Sequence, residues 1–177
     1  MHLNLFKKSK DTFNERKDRE PVFKACYKET CYEGYILSDK ECVLYRKYRF
    51  VTGESPCDDS YYSLPDIKKE RIVPAAFLDS LCAFVEFAGI EDLCRRIEES
   101  DDGSTRILWP DEFQVIIKHK GVEISHSSQR VNYEALNDKQ VIQEIKSLFF
   151  DIDLFFNTVF ELSDDQLMDI CRNKGWL

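Results

Sequence analysis

The fourteen residues between Pro74 and Gly89 read AAFLDSLCAFVEFA, an almost wholly apolar stretch with Asp79 and Glu86 on one narrow polar stripe. Proline in a first helical turn forfeits no hydrogen bond, and glycine adopts the left-handed backbone that ends a helix, so this pair brackets one helix. A helix apolar nearly all round has to be central and largely buried. The rest of the chain must be arranged to cover it.

What precedes that helix reads as sheet. Residues 21–28 (PVFKACYK), 32–38 (YEGYILS) and 42–51 (CVLYRKYRFV) are rich in β-branched and aromatic residues and joined by short connections, which predicts an antiparallel meander. In the third stretch Val43, Tyr45 and Val51 alternate with Cys42, Leu44, Tyr48 and Phe50, so neither face is cleanly polar and both are expected to be covered. Residues 52–66 collect Gly, Pro, Asp and Ser and read as a loop.

After Gly89, a short helix is expected from Ile90 to Glu99, with Ile90, Leu93, Cys94 and Ile97 on one side. Residues 113–118 and 122–126 then form a hairpin around Lys120-Gly121. A two-residue turn sets Lys118 opposite Glu123 and puts Phe113, Val115, Ile117, Val122, Ile124 and His126 on one face. A long helix begins at Asn137 or Asp138 and runs to about Phe160, and Ser163 with Gln166 supplies a capping box for a last short one ending near Gly175. Strands and helices in blocks, not in alternation, predict an α+β fold: a three-strand meander plus a hairpin, packed against a central helix and a long C-terminal helix. Residues 1–20 lack any hydrophobic period and read as a charged arm, leaving 21–177 as one domain.

Charge narrows the class of partner. Lys7 to Lys24 carries a local net charge of +3 against −8 for the whole chain, so the remainder carries −11. Between Lys146 and Arg172 stand Asp151, Asp153, Glu161, Asp164, Asp165 and Asp169, with no base among them. Such a surface repels phosphate, disfavours direct nucleic-acid binding and favours a basic protein. No apolar run approaches the ~18 residues of a bilayer span, and the first twenty residues lack the apolar stretch of a signal peptide. With seven irregularly spaced cysteines, this predicts a cytoplasmic chain with reduced thiols.

Catalytic and cofactor signatures are weak. Six scattered glycines make no phosphate cradle, and Gly53-Glu54-Ser55-Pro56-Cys57 matches a nucleophile elbow only loosely. Cys26, Cys31, Cys42 and Cys57 lack paired zinc-knuckle spacing, although the thiols of Cys26 and Cys31 can meet across a strand turn. No cofactor or metal is expected. An enzymatic alternative places a site on the Cys57–Tyr62 loop, using Cys57, or Asp58 and Asp59, with Tyr61 or His126. Asp58-Asp59 and Asp101-Asp102 also fit plain turn formers.

The long helix carries the most informative pattern. Val141, Ile142, Ile145, Leu148, Phe149, Ile152, Phe155, Phe156, Val159 and Phe160 form one broad core-facing stripe. Phe150 and Leu154 fall on the opposite side, near Gln143, Ser147 and Asn157, with Asp151 and Asp153 to either side. An apolar pair rimmed by acids has the composition of an interface anchor, unless the last helix or the basic arm folds over it. The expected partner-binding set is Phe150, Leu154, Asp151, Asp153, Glu161, Asp164 and Asp165. The expected function is a non-catalytic acidic inhibitor or immunity-type module that occludes a basic partner such as a nuclease. A structural subunit or homodimer using the same pair is a further alternative.

Overall fold

The computed structural model describes residues 20–27, 30–48, 51–52, 62–63, 67–100, 111–131 and 139–176. Strands β1 (Phe23–Tyr27), β2 (Thr30–Ile36) and β3 (Glu41–Tyr48) form the expected meander. Val51–Thr52 (β4) and Tyr62–Ser63 (β5) make a separate two-stranded pair. Strand β6 (Ile67–Pro74) leads directly into α1 (Ala75–Phe87), then α2 (Ile90–Ser100), and β7 (Asp111–His119) and β8 (Val122–Val131) form the hairpin. Helices α3 (Lys139–Glu161) and α4 (Asp164–Lys174) close the chain. The six-stranded antiparallel sheet has the order β6-β3-β2-β1-β7-β8, so the α+β fold expected from the sequence is present with one more main-sheet strand. Pattern reading misses β6 because IKKERIVP puts four consecutive charges in its middle; this edge position tolerates them.

Local chemistry sets the joints. Lys118 pairs with Glu123 as the two-residue turn requires, with Lys120 at φ +48° and Gly121 at +85°. Pro74 precedes the first turn of α1, Gly89 takes φ +76° after its end, and Ser163 and Gln166 form the full capping box of α4.

The register puts Phe23, Ala25, Tyr32, Gly34, Leu44, Val73, Val115, Ile117 and Ile124 on one sheet face, where the helices lie. Helix α1 crosses this face close to the backbone. A Cβ on Gly34 would sit 2.5 Å from Leu78 Cδ1, and Leu78 is fully buried. Gly34→Ala is therefore expected to cost about 1–3 kcal/mol, from forced repacking of Leu78 against Leu44. Urea unfolding measures it; an unchanged midpoint would show that α1 is not seated this tightly. The opposite face is buried as well at Cys26, Cys31, Glu33, Val43 and Tyr45.

One part of the helix reading needs correction. α1 buries Phe77, Leu78, Leu81, Cys82 and Val85, but Phe84 and Phe87 face solvent, Phe87 at 94% exposure. The helix is amphipathic with an aromatic outer side, so hydrophobicity alone overstates its burial.

Candidate protein-docking site

Helix α3 lies along the sheet through its apolar stripe. Val141, Ile142, Ile145, Leu148, Phe149, Ile152, Phe156 and Val159 are buried, with Phe149 against Tyr27 and Phe156 against Tyr32. The side turned away from the sheet carries Phe150, 67% exposed, and Leu154, 54% exposed. Four residues apart, they are neighbours on the helix surface and form one apolar spot. Neither α4 nor any other described element covers it. Alternative burial under residues 1–19 lies outside the described residues.

The acids divide into two groups. Asp151, Glu161 and Asp165 are exposed and have no ion pair among the described residues. Glu161 follows Leu154 by seven residues, two helical turns along the same ridge. Asp153 and Asp164 are engaged by partners within the chain, Asp164 while still exposed. Asp153 accepts hydrogen bonds from Tyr32 Oη at 2.8 Å, Arg46 at 3.2 Å and Asn157 at 2.8 Å, and Arg46 is buried, reaching Asn157 and lying over the Phe160 ring. This cluster bolts the flank of α3 to β2 and β3. Asp164 pairs with Arg71 at 2.6 Å, while the same guanidinium caps the carbonyls of Val159 and Leu162 at the end of α3. Of the expected rim, Asp151, Glu161 and Asp165 remain open to a partner; Asp153 and Asp164 position the helix.

Cys26 and Cys31, directly opposed on β1 and β2, are joined by a disulfide, which corrects the expectation of seven reduced thiols at this pair. Cys42 lies on the opposite sheet face from them, so the four-cysteine zinc set cannot converge through these residues, and no metal-binding group exists among the described residues. Cys57, Asp58, Asp59, Tyr61, Asp101 and Asp102 lie outside the described residues. His126 is buried on the helix side of β8, as its alternation requires. Sequence reasoning gave no role to His119, which with Lys120 grips Asp79 of α1 and clasps the hairpin tip to that helix.

On the second sheet face, Glu33 accepts hydrogen bonds from Lys47 Nζ at 2.6 Å and Tyr35 Oη at 2.7 Å. Burial pushes the carboxyl upward, but the bonds from Lys47 and Tyr35, with the charges of Lys47 and Lys24, outweigh it and hold Glu33 below its ordinary 4.5. A depressed carboxyl stabilises the fold above its unfolded-state value and loses that contribution as pH falls through the folded one. Below pH 4.5 the native protein should therefore lose stability, and Glu33→Gln should flatten this loss. Urea midpoints from pH 5 to pH 3 (about the carboxylate range) test it; parallel curves for the two proteins would contradict it.

Protein-family models, curated proteins and solved structures offer no match to this chain. No helix among the described residues is long and apolar enough to cross a membrane.

Proposed function

We propose that this chain is a non-catalytic, cytoplasmic binding protein that docks a basic protein through the outer ridge of α3, in the manner of an acidic inhibitor or immunity protein. The observation that carries the reading is the solvent exposure of Phe150 and Leu154 on a helix otherwise seated by its apolar stripe. Covering two such side chains contributes about 1.5–3 kcal/mol each, and anchors of this kind supply most of an interface's binding energy. Asp151 and Glu161 flank the pair and supply charge complementary to lysine and arginine. A partner that binds nucleic acid presents such a cationic surface, and an acidic ridge laid on it occupies the place of phosphate.

Salt dependence tests the reading together with the partner's identity. Captured on the immobilised protein, the partner should be basic, and association should slow as salt rises from about 0.05 to 0.5 M, where screening shortens to a few ångströms. An acidic partner, or association indifferent to salt, would defeat the proposal.

A further inference from the structure

The outer ridge of α3 carries opposite charge at its two ends. Lys139, Gln143, Lys146, Phe150, Leu154, Asn157 and Glu161 fall within about 80° of arc, at the alternating three- and four-residue spacing of a helix-pairing seam. All are exposed except Asn157, which is half-buried. The N-terminal half is cationic: Lys139 and Lys146 have no ion pair among the described residues, and its one acid, Glu144, is paired with Arg96 of α2. The C-terminal half is anionic. It contains no base, Glu161 is unpaired among the described residues, and Asp153 keeps 38% exposure while bonded to Arg46.

A cationic partner matches only the second half of this ridge. The surface that matches both halves is the same ridge running the other way. Phe150 stands at the midpoint, eleven residues from Lys139 and eleven from Glu161. A twofold axis beside Phe150 therefore sets that ring against its own copy and Lys139 against Glu161 of the second copy. It also brings Lys146 over Leu154 of the second copy, with Asp153 of that copy beside it. Each charge pair occurs twice. An open groove runs along the cationic half, lined among the described residues by Lys139, Ile142, Gln143 and Lys146. Leu154 of the second copy comes over its Lys146 end, where the aliphatic lysine stem covers it.

We infer that a second copy of this chain occupies the α3 ridge, paired antiparallel about Phe150. The paired ridge from Lys139 to Glu161 is about 33 Å long and one helix wide, which puts the contact at the low end of specific interfaces. The dimer is accordingly weak, and a dilute solution is monomeric and melts as the monomer does. The consequence for regulation rests on the docking reading given above: both occupants need Phe150 and Leu154, so a tighter basic partner displaces the second copy.

Analytical ultracentrifugation of the purified full chain tests the pairing. Wild type should dimerise with a dissociation constant of about 10–100 µM, weakening as salt rises from about 0.05 to 0.5 M. Lys139→Glu and Glu161→Lys should each weaken self-association at least about 10-fold. An equimolar mixture of the two variants should dimerise about as well as wild type, because every reversed charge then meets its opposite. A wild type still monomeric at about 500 µM, charge variants that pair like wild type, or a mixture no tighter than its components would overturn the inference. Should Glu161→Lys fail to fold, Lys139→Glu and the Phe150→Ser, Leu154→Ser double variant decide: wild-type affinity in either one rejects the ridge as the contact. Self-association is read on the chain alone, so its failure leaves partner docking untouched, and failure to capture a partner leaves this result untouched.

Discussion

Asp153→Ala should cost about 3–5 kcal/mol of folding stability, a large share of the total for a domain of this size. The aspartate sits at the edge of the proposed interface, but what it holds is buried: Arg46 is 5% exposed and loses its carboxylate, and Tyr32 Oη and Asn157 Nδ2 lose their acceptor at the same stroke. A buried guanidinium that loses a carboxylate is worse off than a side chain with no charge to compensate. Arg46→Met should accordingly cost much less, under about 1.5 kcal/mol. The aspartate left behind is 38% exposed, can hydrate, and keeps Tyr32 and Asn157 as donors. Chemical denaturation of both variants measures the asymmetry. Equal losses, or a loss under about 1 kcal/mol for Asp153→Ala, would show that the cluster behaves as an ordinary surface ion pair.

Phe150→Ser with Leu154→Ser should do the reverse, leaving the melting temperature within a degree or two of wild type (about ±0.5 kcal/mol) while weakening partner binding by at least about 100-fold. Both side chains project into solvent, so the folded state loses little packing when they are trimmed. In a complex the same trimming forfeits the burial of two anchors. Calorimetric melting and equilibrium binding to the captured partner separate the two effects. A large drop in melting temperature would assign the pair to internal packing instead.

The contrast between Asp153 and Phe150 shows what could be read from the chain itself. Helical periodicity places both on α3 away from its apolar stripe, and it correctly leaves Phe150 and Leu154 facing outward. It does not reveal that Arg46, 107 positions earlier, rises from β3 to claim Asp153. Pairing across that separation depends on sheet register, which local pattern does not fix. Strand β6 was hidden for a related reason. Its Arg71 looks like solvent-facing charge but serves to cap α3 and pair with Asp164. By contrast, the meander, the hairpin register and the α4 capping box each rest on neighbours within a few residues, and their signals appear directly in the sequence. Phe84 and Phe87 passed for core because an apolar helix gives no sign of which side it presents to the sheet.

Photo-crosslinking from position 154, with a benzophenone amino acid in place of Leu154 and a control at Lys174 on the exposed end of α4, tests the docking claim most directly in the living cell. The account predicts one dominant adduct from position 154, to a basic protein, absent from the control and lost when Asp151 and Glu161 are changed to lysine. No adduct from position 154, or the same adducts from both positions, would contradict it.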